Sequence, residues 1–159
     1  MPIQSAKTIL KEYWDGRLPV DPVRIATGLG VRVEQSFGEI TNNADQPLSG
    51  EFTLENGAPV IKYNATEAPV RQRFTVAHEL GHYVLHHGPR HRDEAQNFSI
   101  NNYDLYEVAA NNFAAELLMP AEAVRYLIEQ GVTTLKGLAD SFNVSTVAMN
   151  IRLKKIGVF

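Results

Sequence analysis

The sequence predicts an α+β fold, and three observations predict it. Apolar residues recur at helical spacing near the start of the chain and through its second half. Between them lie three short strand candidates, at 31–35, 48–54 and 59–63. Asn56-Gly57, which separates the last two, is a strong hairpin signal because both residues tolerate the positive φ that a tight turn requires.

Residues 3–14 set Ile3, Ala6, Ile9, Leu10, Tyr13 and Trp14 on one helical stripe, stopped by Asp15-Gly16 and Pro19. Asp21-Pro22 opens a second helix through Val23, Ile25, Ala26 and Leu29 to Gly30. Aspartate caps well, proline fits the first turn and glycine favours the left-handed stop. The hairpin makes 48–54 and 59–63 an antiparallel pair, so a small antiparallel sheet beside a mainly helical core is expected. A helix over 68–87 follows, broken by Gly88-Pro89, and the polar stretch 90–102 reads as a loop bordering a cleft. Further helices are expected at 103–118, 121–130, 135–142 and 145–156. The last two flank Asn143 and look like a helix-turn-helix. The expectation is a single domain over 1–159, with about 131–159 a helical tail packed on it.

Composition limits the function. With 159 residues, 44% of them hydrophobic, the chain can bury one substantial core. Charges of both signs are dispersed and the net charge is −3, which speaks against a disordered acidic segment or a basic nucleic-acid arm. There is no cysteine, so a transition metal must be held by nitrogen and oxygen. No signal-like apolar core opens the chain and no run of about eighteen apolar residues occurs, so no membrane role and a cytoplasmic location are expected.

The chemistry is concentrated in His78-Glu79-Leu80-Gly81-His82, a His-Glu-x-x-His pattern within the 68–87 helix. Residues four apart lie about 40° apart around the axis and one turn along it, so His78 and His82 can aim at one point. Zinc takes such a pair as two of its ligands. Glu79, about 100° from His78, falls beside the ion and suits a general base acting on water. A chance pattern of surface or core histidines is the competing reading. The apolar context of Phe74, Val76, Ala77, Leu80, Val84 and Leu85 favours a buried cluster, whose polar groups need a partner.

A third protein ligand is required, and His86, His87, His91, Asp104, Glu107 and Glu116 are the candidates. His86 sits about 12 Å along the axis from His78 at 1.5 Å per residue, too far to share an ion with it. It is read as a group that lines the cleft or supports a ligand, and His87 and His91 as solvated. Glu107 shares a face with Ala110, Asn111, Ala114 and Leu118, and those small residues would let its helix approach the histidine helix closely. Glu116 points about 180° away. Glu107 is therefore the preferred ligand, with Asn111 one turn on to orient a ligand histidine. Among Arg71, Arg73, Tyr83, His86 and Tyr106, spacing does not choose a transition-state stabiliser.

At these two blocks the chain resembles the ImmA/IrrE family of bacterial and phage metallopeptidases. The matching residues are Arg73-Phe74-Thr75-Val76-Ala77-His78-Glu79-Leu80-Gly81-His82 and, from Glu107, Ala110-Asn111 and Phe113-Ala114-Ala115-Glu116-Leu117-Leu118-Met119-Pro120. Pro19-Val20-Asp21-Pro22, Gly28-Leu29-Gly30-Val31, and the tail from Leu138-Ala139 to Arg152-Leu153 extend the likeness over most of the chain. The resemblance implies a zincin-like core with a gluzincin-like site: Zn2+ on His78, His82 and Glu107, and Glu79 as base. It implies endopeptidase action on a co-encoded Xre-type helix-turn-helix repressor or antitoxin, with DNA involved only indirectly. It also implies a strand that holds extended substrate, for which 59–63 is the candidate. Larger relatives carry extra domains, which are not expected here.

Two other functions compete. The 134–156 helices could contact DNA through Lys136, Arg152, Lys154 and Lys155, although core packing or partner docking suits them better. A non-catalytic, zinc-bound toxin or anti-repressor that works by binding its cognate repressor would keep the fold and dispense with Glu79.

Overall fold

A computed structural model describes residues 4–42, 44–91 and 105–158. Helix α1 (Ala6–Tyr13) starts where the Ser5 side chain accepts the Thr8 N–H at 3.2 Å. Helix α2 (Pro22–Gly28) starts where one Asp21 oxygen accepts the N–H groups of Val23 and Arg24. Strand β1 (Arg32–Ser36) follows directly, and β2 (Gly50–Glu55) and β3 (Ala58–Asn64) form the hairpin. Its turn residues Asn56 and Gly57 have φ of +51° and +81°, as a two-residue turn of this hand requires. Ile3, Tyr103, Asp104, the 92–102 part of the expected loop and the His91 side chain lie outside the described residues.

The strands run in the order β1-β3-β2-β4, where β4 (Arg90–His91) is a two-residue piece paired antiparallel to Glu51 and Phe52 of β2. The expected antiparallel hairpin is present, with Glu55 opposite Ala58. The sheet as a whole is nevertheless mixed, because β1 pairs with β3 in parallel. Its physical cause is the connection between β1 and β2, which skips one strand position. The hairpin then folds β3 back into that position, antiparallel to β2 and hence parallel to β1. A run's alternation decides which face is buried but not which strand lies beside it. With neighbours on both sides, β3 buries Val60 and Ile61 in succession.

Helix α3 (Pro69–Val84) lies across β2 and β3, and α4 (Leu105–Leu118) lies along α3. The approach is close because Gly81 offers no side chain. A Cβ there would stand 3.1–3.3 Å from Phe113 and from the Ala110 backbone. Helices α5 (Ala121–Glu129), α6 (Leu135–Phe142) and α7 (Thr146–Lys155) complete the order. The α6–α7 turn passes through Asn143 in the left-handed region, with φ +52°. The tail is fastened to α3 by Arg73, whose guanidinium donates to the carbonyls of Val20, Phe142 and Asn143 at 2.6, 3.3 and 3.2 Å. Buried side chains from Ala6 to Leu153 form one apolar cluster. Among the described residues no helix is long and apolar enough to cross a membrane.

Candidate metal centre

α3 places His78, Glu79 and His82 inside the molecule, each at most 1% exposed. Burying two imidazoles and a carboxylate together is costly unless they share a partner. His78 Nδ1 lies 2.8 Å from Asn111 Oδ1 on α4. An amide oxygen can only accept, so Nδ1 carries the proton and Nε2 presents a lone pair. That lone pair faces His82 Nε2 at 3.1 Å and Glu107 Oε2 at 3.2 Å, and Glu107 Oε2 lies 2.5 Å from His82 Nε2. Three electron-rich atoms from two helices thus converge on one point.

Such a set calls for a cation at its centre. Tetrahedral zinc with ligand distances near 2.0–2.2 Å keeps its ligand atoms roughly 3.3 Å apart. Two edges of the triangle match that separation, and the His82–Glu107 edge is tighter and must lengthen to admit an ion. All three donors are nitrogen or oxygen, so the residues fit a borderline transition metal such as zinc. Burial alone would raise the Glu107 carboxyl. The His78 and His82 imidazoles set against it outweigh that effect and hold the group well below the usual carboxylate range, so Glu107 stays an anionic ligand at neutral pH. Glu79 joins the two rings in a group whose ligand-type atoms lie within 4.8 Å of one another. With Glu107 touching both Nε2 atoms, Glu79 stands beside that triangle as a fourth group.

Several candidates sit elsewhere than spacing suggests. α3 ends at Val84 instead of continuing to residue 87. His86 is therefore off the helix, exposed, at φ +61°, and it does not take the supporting position expected of it. The ring that reaches His82 is that of His87, expected to be solvated: its Nδ1 is 2.8 Å from His82 Nδ1, and it stacks on Tyr106 with centroids 4.3 Å apart. This pair was not visible in the spacing, because only the left-handed turn at residue 86 brings residue 87 back. Glu116 is exposed at the far end of α4. Arg73 is occupied in fastening the tail, and Arg71 donates to Ser49 Oγ at 2.8 Å. Strand β3, expected at 59–63 to hold substrate, has both edges filled by β1 and β2 and cannot add a further strand. Of the cations considered for DNA contact, Arg152 is buried against the Met119 carbonyl and Lys136 is paired with Asp140.

"Uncharacterized immunity region protein 2" of Bacillus phage phi105 is 32% identical over 120 residues, covering 73% of this chain. The chain spans 66% of that relative, just under two-thirds of its length. The family model described as "IrrE N-terminal-like domain", a peptidase family, matches residues 26–154 and so takes in the sheet, the His-Glu-x-x-His helix, Glu107 and the helical tail. The chain belongs to this IrrE N-terminal-like metallopeptidase family.

Proposed function

We propose that this chain is a zinc-dependent endopeptidase in which His78, His82 and Glu107 hold the ion and Glu79 is the catalytic base. The observation that carries the reading is the convergence of His78 Nε2, His82 Nε2 and Glu107 Oε2 on one point, with the buried Glu79 carboxylate next to it. Zinc bound there would supply a Lewis acid and would lower the pKa of a bound water to about 7. A Glu79 carboxylate oxygen takes the proton of the attacking water and returns it to the leaving amine nitrogen. Asn111 fixes the His78 tautomer by accepting from Nδ1, which turns the Nε2 lone pair toward the ion.

The substrate in this reading is a co-encoded Xre-type helix-turn-helix repressor or antitoxin in the cytoplasm, whose cleavage relieves repression. Support comes from the family and from a relative whose name places it in a phage immunity region. DNA is affected only through that repressor.

Glu79→Gln is the test, because it keeps the side chain's shape and removes the base. The variant should retain zinc by elemental analysis and bind the repressor, while cleavage falls by about a hundredfold or more. Unchanged cleavage would remove Glu79 from the mechanism. Binding by both proteins with cleavage by neither would favour the toxin or anti-repressor that only sequesters.

A further inference from the structure

Away from the metal centre, α1, the end of α4 and the start of α5 enclose a cleft of about 560 Å³, a size usual for small-molecule sites. Glu116 on its rim lies nine residues along α4 from Glu107, about 14 Å at 1.5 Å per residue and on the opposite face. The cleft is therefore separate from the zinc ligands.

Its lining is cationic in a chain whose net charge is −3. Arg152 is 92% buried (8% exposed) and lines the cleft. Among the described residues its only hydrogen bond is from Nε to the Met119 carbonyl at 2.9 Å, and it makes no ion pair. The Glu116 carboxylate on the rim acts on the same guanidinium and favours its charged form. Lys7 and Lys11, one turn apart on α1, also line it, and among the described residues neither has an ion-pair partner. Arg125 is held at the rim by donating to the Ile156 carbonyl at 2.8 Å.

The start of α5 adds to this field. Its N-cap is Pro120, which has no side-chain acceptor, so the first N–H groups of α5 remain uncapped at the cleft wall. Such a helix end attracts anions. Two carboxylates, Glu116 and Glu122, reduce the positive charge of the four cations without cancelling it. The remaining wall is apolar. Trp14 donates Nε1 to the Arg17 carbonyl at 2.9 Å, which fixes the indole, and Leu10 lies beside it.

We propose that this cleft binds a small organic anion, a carboxylate or phosphate carried on an apolar body the size of one ring. The head group pairs with Arg152, the two lysines and the α5 N-terminus, and the ring packs on Trp14.

Trp14 is the only tryptophan in the chain, so its fluorescence reports on the cleft directly. The zinc-supplemented protein is titrated with phenyl phosphate, with phenylacetate and with neutral benzyl alcohol. One of the two anions should produce a saturable change at least tenfold tighter than benzyl alcohol, and the tighter one identifies the head group. The Lys7→Gln, Lys11→Gln double variant, which alters only exposed side chains, should weaken that binding about fivefold or more. Arg152→Gln should abolish it. If that buried substitution prevents folding, the lysine pair decides. No saturable change, equal binding of the neutral compound, or unchanged affinity in the lysine variant would overturn the proposal.

Discussion

The ends of α3 and α7 are built by the same pair of hydrogen bonds, yet the residue that makes the turn differs. At α7, Gly157 donates to Lys154 and Val158 to Leu153, with Gly157 at φ +81°. At α3, His86 donates to Tyr83 and His87 to His82, with His86 at φ +61°. Both are the turn that satisfies the last carbonyls of a helix and folds the chain back over it. Glycine adopts this backbone freely, whereas a side-chain-bearing residue there is strained by on the order of 1 kcal/mol. At α7 the residue folded back is an apolar Val158 packed against the core. At α3 it is His87, set against a metal-ligand candidate. Of these two ends, the strained turn sits where chain reversal serves the site and the relaxed one where it serves packing, whereas α6 reverses at Asn143, φ +52°, to pack Val144 on the core.

The sharpest way to break this comparison is to remove the residue folded back at each end. His87→Ala takes away the group facing His82 Nδ1, and zinc affinity in a competitive chelator titration should fall 10–100-fold, as losses of ligand-supporting groups do. Val158→Ala at the equivalent place on α7 should leave zinc affinity unchanged. Equal affinity in wild type and His87→Ala would show that the turn merely ends the helix.

The same contrast explains how much was legible in the sequence. Asp21-Pro22 and Gly30 delimited α2, and Asn56-Gly57 marked the hairpin, because each signal acts within a few residues of itself. Glu107 was legible because its helix face carries Ala110 and Ala114, and the structure sets its carboxylate against both rings. Non-local choices were hidden. β1 pairs in parallel with a strand that comes two later, and so the 59–63 segment became the sheet's interior and not a free edge. The end of α3 was hidden for a different reason. Gly88-Pro89 shows only where a helix can no longer continue, and a histidine in the left-handed position carries no signal of its own. Residues 86 and 87 exchanged their expected roles on that account.

A smaller effect sharpens the backbone side of the comparison. Gly157→Ala meets no atom within 4 Å, so its whole cost is conformational. Left-handed strain of about 1–2 kcal/mol is offset by about 0.4–1 kcal/mol from a stiffer unfolded chain. Urea denaturation should show a net loss of about 1 kcal/mol with an unchanged slope. No loss would mean that the end of α7 relaxes out of the left-handed turn.

The smallest effect is the inverse change. His86→Gly releases the strain at φ +61° but gives the unfolded chain the extra freedom of glycine, and the two nearly cancel. A net gain of about 0.5 kcal/mol is expected in urea denaturation of the metal-free protein, where zinc binding cannot mask it. Zinc affinity should be unchanged, since among the described residues the exposed His86 ring makes no contact with the cluster and the His87 N–H to His82 carbonyl bond is preserved. Stabilisation with intact zinc affinity would separate the turn's backbone strain from the site's chemistry. A drop in zinc affinity would instead return His86 to the supporting position that helical spacing assigned it.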